Sequence, residues 1–333
     1  MRVVDAGAAG AGEALRWGFL GSRLELHSFE ADEAECAKLG ELAKSGAQVH
    51  PYNMFLGAPQ KSRTFYIARE FNNSFFPTDY AWFHRRRSYW TGPAVRQSDT
   101  FSVAKTIEVE SVNLDDWAER VGASGVDYLK VDIEGAELEL MQTSPQIMSG
   151  ILGVSADVTF HADWIGAPTF ADVDKWMVSN GFVLFDLQGV KRGTLFDTPV
   201  VAPRGHSVLA GQLACANAIY FRDPLVEGAQ PMTPESMLKL AAIAEVHGQV
   251  EFAFELVRAV GRSSSASDQL ALGNVERAAA AEYASMLSGE QSAKWRNWLS
   301  ITAQSIIPRR ALDLIRPSVK KIGLGANPLY PHR

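Results

Sequence analysis

Residues 1–12, MRVVDAGAAGAG, contain the pattern that decides the fold. The apolar stretch from Met1 to Ala6 predicts a buried strand, and the small residues from Gly7 to Gly12 lead from it into a helix. Small residues let a ligand approach the backbone closely, and a helix N-terminus offers free N–H groups. This pattern therefore predicts a ligand-binding turn after the first strand, although a tight turn without a ligand has the same composition.

The residues that follow alternate between helix and strand patterns. Residues 13–20 predict a helix, 24–29 a strand, 31–45 a helix and 48–55 a third strand. Such alternation is typical of a parallel sheet covered by helices on both faces, so the predicted fold class is α/β, doubly wound. Further strands are predicted at 63–69, 105–114, 127–133, 154–160, 182–186 and 217–221, and further helices at 115–121, 135–141 and 170–180.

Composition excludes several classes of protein. The 333 residues carry a net charge of −6, and 47% of them are hydrophobic. A globular chain without a basic excess is predicted not to bind nucleic acid. The two cysteines, Cys36 and Cys215, are too few for a disulfide framework. Since no signal-peptide pattern or long apolar stretch is visible, we expect a cytoplasmic protein.

The character of the chain changes after residue 222. We expect residues 1–222 to form one domain and 223–333 a helical extension, with helices at 234 onward, 252–260, 268–287 and 293–306. The last segment, 308–333, is rich in Lys and Arg. A solvated tail is one interpretation of it, and peripheral contact with an anionic membrane is the other.

Two acids and the glycine spacing indicate which ligand the first turn binds. Glu30 ends the second predicted strand, where an acid in doubly wound folds reaches the ribose hydroxyls of a nucleoside. The alternative is that Glu30 stabilises the following helix N-terminus. Gly7, Gly10 and Gly12 do not have the spacing of a dinucleotide site, and Asp5 would repel a phosphate. These features favour S-adenosylmethionine, which carries an amino group and no phosphate.

The segment from Asp127 to Glu137, DYLKVDIEGAE, resembles the hallmark of the FkbM-type S-adenosylmethionine-dependent methyltransferases. The resemblance extends over residues 3–188 and includes 4–8, 29–30, 112–117 and 182–187. It implies a seven-stranded, mostly parallel Rossmann-like sheet with one antiparallel strand, and methylation of hydroxyl groups on sugars, glycolipids or polyketides. The cofactor-binding residues that it implies are Asp5, Gly7, Ala8, Gly10, Glu30, Ala31, Asn53 and Asp132.

This chain departs from the family pattern in three respects. Ala9 stands where the family usually has Asn, and Ala31 where it often has Pro. Enzymes of this type also commonly carry helices before the first strand that help to cover the cofactor. Here we expect the C-terminal helices, or a partner subunit in a homo-oligomer, to close the site.

Three residues near predicted strand ends are candidates for catalysis. A hydroxyl is a poor nucleophile near neutral pH, so a general base is useful. Asp132, Glu134 and His161 follow strands at the edge where open α/β sheets bind ligands. Two other roles are possible for these acids. Asp132 and Glu134 could together bind a divalent cation, or Asp132 could cap the following helix. Lys130, inside a predicted strand, is expected to pair with an acid.

An aromatic and basic segment, residues 71–99, fits neither a helix nor a strand pattern and is predicted to be a lid. Aromatic faces stack on sugars and Arg binds phosphate or carboxylate, so this lid is expected to recognise the acceptor. The same composition is typical of a dimer interface. The candidate acceptor-binding residues are Asn73, Ser74, Trp82, Arg85 and Arg86.

The sequence thus predicts an O-methyltransferase that acts on a glycan or another hydroxylated small molecule. Three alternatives stay open. One is a nicotinamide-dependent oxidoreductase on the same fold, which the glycine spacing and Asp5 disfavour. Another is a degenerate methyltransferase fold that acts in protein interaction. The third keeps methyl transfer but moves the acceptor to an amine or a carboxylate, which needs less activation.

Overall fold

The structure is a computed structural model of the chain. It describes residues 1–8, 12–42, 48–69, 72–87, 95–123, 125–161, 163–197 and 211–263. The predicted helices at 268–287 and 293–306, the basic segment 308–333, and Gly10 in the first turn lie outside these residues. No helix in the described part of the chain is long and apolar enough to cross a membrane.

A central sheet of seven strands runs through the protein. Its strands are β1 (Arg2–Ala6), β2 (Glu25–Phe29), β3 (Gln48–Tyr52), β7 (Tyr128–Val131), β8 (Gly153–Thr159), β9 (Val183–Gln188) and β12 (Cys215–Phe221), in the spatial order β3-β2-β1-β7-β8-β12-β9. Within this sheet, β12 runs opposite to the other six strands and is antiparallel to both of its neighbours, β8 and β9. The predicted doubly wound, mostly parallel fold is therefore confirmed.

Helices cover both faces of this sheet, and two further short helices lie in the segment predicted to be a lid. They are α1 (Gly12–Trp17), α2 (Glu33–Leu42), α3 (Tyr80–His84), α4 (Gln97–Thr100), α5 (Leu114–Val121), α6 (Glu137–Gln142), α7 (Pro145–Gly150), α8 (Phe170–Ser179), α9 (Pro234–Val246) and α10 (Val250–Ser263). Trp117 of α5 and Met177 of α8 belong to one core, and Trp17 of α1 and Leu240 of α9 belong to the other. Strands buried on both faces read as continuous apolar runs, as Val3 and Val4 do.

The C-terminal helices α9 and α10 complete the second core. Leu240, Ile243 and Leu256 pack with Val3 and Tyr128 of the central sheet. Thr233 caps α9 by accepting a hydrogen bond from the N–H of Ser236, and Pro234 occupies its first turn. The helices predicted from residue 234 onward and at 252–260 are thus present, and they lie on the same face of the sheet as α1.

The described strands outside the central sheet form two small sheets. A three-stranded sheet contains β4 (Phe55–Leu56), β5 (Gln60–Ala68) and β6 (Val103–Val112), and β10 (Arg192–Gly193) pairs with β11 (Gln212–Leu213). The prediction of one strand over 48–55 is wrong, because β3 ends at Tyr52 and β4 joins another sheet. The turn between them is held by Asn53, whose amide donates to the carbonyls of Glu30 and Ala31.

For two of the predicted helices, backbone conformation explains why their bounds differ in the structure. The first helix ends at Trp17, and a 3-10 segment, Gly18–Arg23, follows with a positive φ of 55° at Gly21. The helix predicted from 135 begins at Glu137, because Glu134 and Gly135 adopt φ of 56° and 103°. The predicted lid contains the short helices α3 and α4. No sequence pattern predicted α7, β10 or β11.

Candidate active site

The order of the central sheet creates a crevice between β1 and β7. The chain passes from β1 to β2 and β3 on one side, and from β7 to β8 on the other. Ligands of open α/β sheets bind at such a switch point, beyond the carboxyl ends of the strands. Gly7 follows β1 and Asp132 follows β7, so two predicted site residues flank this crevice.

Gly7 occupies a position that only glycine fits. Its φ is +85°, and a Cβ on it would lie 1.8 Å from the carbonyl oxygen of Asp132. The N–H groups of Gly7 and Ala8 both donate to the carbonyl of Phe29, at 3.0 and 2.9 Å. The Asp132 N–H donates to the carbonyl of Ala6 at 2.9 Å. The first turn is therefore fastened to the ends of β2 and β7.

Asp5 and Lys130 face each other on the two strands that border the crevice. The Lys130 ammonium lies 3.2 Å from Oδ1 of Asp5 and 3.3 Å from Oδ2 of Asp132, and donates to the Gly7 carbonyl at 2.7 Å. The predicted pairing of Lys130 with an acid is confirmed. Burial raises the pKa of Asp5 to about 6, although Lys130 opposes this shift. Burial favours a neutral Lys130, but Asp132 and Asp5 outweigh it and raise the pKa of Lys130.

Glu30 lies at the carboxyl end of β2, one strand away from Gly7. Its Oε1 accepts a hydrogen bond from the N–H of Asp32 at 2.9 Å, and burial raises the pKa of its carboxyl. Asp32, not Glu30, caps α2, since its Oδ1 accepts from the N–H groups of Ala34 and Glu35. The structure thus gives the helix-capping role to Asp32. Ala31 and Asn53 adjoin Glu30 through the Asn53 amide.

The turn after β7 is held by a carboxylate that sequence reasoning did not include in the site. Oε1 of Glu137 accepts from the N–H of Ile133 at 2.8 Å, and Oε2 accepts from the N–H of Gly135 at 3.0 Å. Burial raises the pKa of Glu137 to about 7. Asp132 does not cap α6, whose first residue is Glu137 and whose N-cap Ala136 has no side-chain cap. In the sequence, Glu137 is an acid two residues after Gly135. The sequence alone does not distinguish such an acid from an exposed residue at the start of a helix.

Glu134 adopts the left-handed conformation with φ of 56°, which is uncommon outside glycine. Burial and the neighbouring carboxylate of Asp132 raise the pKa of Glu134 well above its usual value. The same two causes raise the pKa of Asp157 on β8, a residue that the sequence analysis did not single out. Residues held in rare backbone conformations cluster at functional sites. Asp132 and Glu134 follow β7, and Asp157 lies near the end of β8, so three carboxyl groups lie at this edge of the sheet.

A divalent cation held by Asp132 and Glu134 would need a further ligand, and none of the described His, Cys, Asp or Glu residues supplies one. Among them, no three His, Cys, Asp or Glu side chains are grouped as a metal-ion site requires. Oδ2 of Asp132 contacts the Lys130 ammonium, and the Asp132 side chain is 38% exposed. Part of this side chain is therefore accessible to solvent beside the end of β7.

His161 follows β8 and belongs to a second arrangement at the same edge of the sheet. Its Nδ1 contacts Oδ1 of Asp163, which is 1% exposed. Its ring centroid lies 4.1 Å from that of Trp82. Burial raises the pKa of Asp163, and the contact with His161 opposes this shift. The structure therefore brings together a predicted catalytic residue, His161, and a predicted acceptor-binding residue, Trp82. Asp163, the partner of His161, was missed because nothing in its local sequence marks it.

The segment 72–87 of the predicted lid is tied directly to the turn after β7. Ser74 is 1% exposed, and its Oγ donates to the carbonyl of Glu134 at 2.6 Å and accepts from the N–H of Phe76 at 2.9 Å. Asn73 Oδ1 accepts from the N–H of Ala68 at 2.9 Å. Both side chains thus have partners within the protein, and their direct contact with an acceptor stays a prediction.

Arg85 and Arg86 differ in their surroundings. Arg86 is buried and donates to the carbonyl of Gly193 at 3.3 Å and to Oε1 of Gln212, and its guanidinium lies 4.0 Å from the centroid of the Trp82 ring. Arg86 thus has partners within the protein, and its direct contact with an acceptor stays a prediction. Arg85 is exposed.

A small cleft opens between the turn after β7 and the start of α8. Its lining includes Gly135, Glu137, Asp157, Thr159, Trp164 and Thr169, and it encloses about 240 Å³ when the part open to solvent is included. Part of this space is open to solvent, and sites that enclose a ligand are larger, so the cleft alone does not form a ligand site. It places Trp164 and two carboxyl-bearing residues at the same sheet edge as His161.

Comparison with known proteins decides the family. A profile of the methyltransferase FkbM domain matches residues 8–184. The chain belongs to the FkbM methyltransferase family. No curated protein sequence matches it. One solved structure similar to the chain is that of M. capricolum TrmK in complex with the cofactor product S-adenosyl-homocysteine, with 8% identity and a TM-score of 0.31 over 95% of this chain and 92% of that chain.

Membership of the FkbM methyltransferase family makes S-adenosylmethionine the cofactor and methyl transfer the activity. The residues of the crevice fit this cofactor. Gly7 gives the close backbone approach that the turn needs, Glu30 offers a carboxylate at the end of β2, and Asp132 keeps part of its carboxylate exposed. The central sheet, with its single antiparallel strand, is the Rossmann-like fold that the family implies.

Proposed function

We propose that this protein transfers the methyl group of S-adenosylmethionine to a hydroxyl group of a sugar, a glycolipid or another hydroxylated metabolite. The observation that carries the proposal is the pairing of His161 with Asp163 beside Trp82. A hydroxyl needs help to lose its proton near neutral pH, and a carboxylate-oriented histidine is a suitable base. Trp82 adds an aromatic face of the kind on which sugar rings stack.

The cofactor is held in the crevice between β1 and β7. Glu30 binds the ribose hydroxyls, as acids at the end of the second strand do in this type of fold. The Gly7 turn and the exposed part of Asp132 hold the amino-acid end, where a carboxylate pairs with the amino group. Asn53 keeps the Glu30 segment in place through its bonds to the carbonyls of Glu30 and Ala31. When bound, the cofactor supplies an electrophilic methyl group on a sulfonium.

His161 provides the proton acceptor. We place the proton of the neutral ring on Nδ1, the nitrogen that contacts Oδ1 of Asp163, so that Nε2 is left as the base. The acceptor oxygen forms the new bond to the methyl carbon, the carbon–sulfur bond breaks, and the hydroxyl proton passes to Nε2. Alignment of donor and acceptor supplies the rest of the rate enhancement.

The test uses S-adenosylmethionine with a labelled methyl group and a panel of glycans, with amines and carboxylic acids as comparison acceptors. We expect label on a hydroxyl acceptor, and a 10²–10⁴-fold lower rate for His161→Ala, about the contribution of a general base. His50→Ala is the matched control, since His50 is exposed on β3 and stacks on His27, and its rate should stay within about twofold.

Other results point to other functions. Transfer only to amines or carboxylic acids, at a rate that His161→Ala leaves unchanged, would exclude a hydroxyl acceptor. Binding of S-adenosylhomocysteine without transfer to any acceptor would instead favour an interaction module. Failure of the wild-type protein to bind S-adenosylhomocysteine would exclude the proposed cofactor site.

A further inference from the structure

Lys130 lies where the two loops of the crevice meet. It is a residue of β7, between Asp5 on β1 and the turn that begins with Asp132. Its ammonium has three hydrogens and three oxygen neighbours: Asp5 Oδ1 at 3.2 Å, Asp132 Oδ2 at 3.3 Å and the Gly7 carbonyl at 2.7 Å. Each of these neighbours comes from a different part of the site.

A buried lysine needs a reason, because removal of an ammonium from water is costly unless it is paired. One counter-ion would be enough to balance the charge, and Asp5, with 6% of its side chain exposed, already supplies it. The contacts with Gly7 and Asp132 go beyond charge balance. Through these contacts, Nζ of Lys130 holds both the Gly7 carbonyl and Oδ2 of the partly exposed Asp132 in fixed positions.

We propose that Lys130 is a positioning residue of the cofactor site, which holds the Gly7 turn and the Asp132 carboxylate in one fixed arrangement for the amino-acid end of the cofactor. This inference rests on the proposed location of the cofactor. Lys130 does not touch the reacting atoms. It acts through Gly7 and Asp132, so its loss should weaken binding of the amino-acid end and leave the nucleoside end, near Glu30, unaffected.

Two ligands distinguish binding of the amino-acid end from binding of the nucleoside end. S-adenosylhomocysteine has both the nucleoside and the amino acid, and 5′-methylthioadenosine lacks the amino acid. Calorimetric titration of Lys130→Met should give an affinity for S-adenosylhomocysteine at least about tenfold lower than that of wild type, and an affinity for 5′-methylthioadenosine within about twofold. A general structural defect would lower both affinities together.

The matched control is Lys239→Met. Lys239 also pairs with an acid that flanks β7, since its ammonium lies 3.1 Å from Asp127, but Asp127 precedes the amino end of the strand. Both affinities of this variant should match those of wild type. An equal loss of S-adenosylhomocysteine affinity in Lys239→Met and Lys130→Met would overturn the positioning role.

A second comparison covers the case in which Lys130→Met does not fold because Asp5 is left buried without a counter-ion. Asp5→Asn removes that charge, so the double variant Asp5→Asn/Lys130→Met is compared with Asp5→Asn alone. If Lys130 only neutralised Asp5, the two would bind S-adenosylhomocysteine equally, and the proposal would be wrong. We expect at least about tenfold weaker binding by the double variant. If wild type itself does not bind S-adenosylhomocysteine, the cofactor site and this inference both fall.

Discussion

The hydroxyl of Ser74 donates to the carbonyl of Glu134 at 2.6 Å and so joins the lid segment to the turn after β7. The same oxygen accepts from the N–H of Phe76 at 2.9 Å. Among the described residues other than glycine, Glu134 alone has a positive φ. Such a rare backbone conformation persists only when the surrounding structure holds it in place. One buried hydroxyl therefore helps to fix both the lid and the carboxyl-bearing turn.

Ser74→Ala should destabilise the protein by about 1–3 kcal/mol, because the Glu134 carbonyl and the Phe76 N–H would each lose a partner in a partly buried place. Chemical denaturation measures this change. Ser149→Ala is the control, since the Ser149 hydroxyl donates to the carbonyl of Gln146 in an exposed position, and a change within about 0.5 kcal/mol is expected there. Equal stability of Ser74→Ala and wild type would show that this bond does not support the turn.

Arg86→Met tests the support behind Trp82. Loss of the guanidinium leaves the Gly193 carbonyl and Gln212 without their donor and should cost on the order of 2 kcal/mol in unfolding free energy. Because Arg86 lies outside the crevice between β1 and β7, the affinity for S-adenosylhomocysteine should not change. The neighbouring variant Arg85→Met, at an exposed position, should leave both quantities unchanged. If Arg85→Met proved as destabilising as Arg86→Met, burial would not explain the difference between the two arginines.

The parts of the site that the sequence predicted are those with a local signal. Gly7 and Glu30 follow strands that an apolar pattern reveals, and the parallel topology then places both at one edge of the sheet. Lys130 was expected to have an acidic partner because it interrupts an apolar strand. In each case, the residue and the pattern that identifies it lie within a few positions of each other.

The parts that the sequence did not predict depend on distant contacts. Asp163 matters because it touches His161, and Trp82 reaches His161 from a position about eighty residues earlier in the chain. The partners of Arg86 come from β10 and β11, and neither strand was predicted. Glu137 accepts a hydrogen bond from a turn in which Glu134 has a positive φ. Nothing in the sequence at Glu134 indicates that conformation. Pattern alone cannot supply such tertiary information.

Gly7→Ala tests whether the crevice depends on the close approach of the two loops. A Cβ here would lie 1.8 Å from the Asp132 carbonyl, and the φ of +85° adds strain of about 1–3 kcal/mol. We expect a lower melting temperature and an affinity for S-adenosylhomocysteine at least about tenfold weaker. Gly40→Ala is the control, because Gly40 lies near the C-terminal end of α2, no neighbouring atom lies within 4 Å of its Cβ position, and alanine suits a helix. Retention of full affinity by Gly7→Ala would contradict the proposed cofactor turn.

The buried carboxyl of Glu245 should make the unfolding free energy of the protein depend on pH. It lies in α9, is 7% exposed, and its Oε1 has no hydrogen-bond partner among the described residues. Burial raises the pKa of Glu245 from 4.5 to about 9. The folded protein therefore keeps this proton over a range in which the unfolded chain has lost it. The stabilising contribution is complete below pH 4.5 and is lost as the pH rises towards 9.

Glu245→Gln removes this dependence while it preserves the shape of the side chain. We expect wild type and variant to have similar unfolding free energies at pH 4, and the variant to be more stable at pH 9, by an amount on the order of a few kcal/mol. His247 titrates in both proteins, since burial lowers the pKa of its imidazole to about 3, so its effect at low pH cancels in the difference. Glu235→Gln, at an exposed position of the same helix, should change stability by less than about 0.5 kcal/mol at either pH. Denaturant unfolding at the two pH values measures all three proteins, and equal stability of wild type and Glu245→Gln at pH 9 would show that Glu245 ionises without cost in the folded state.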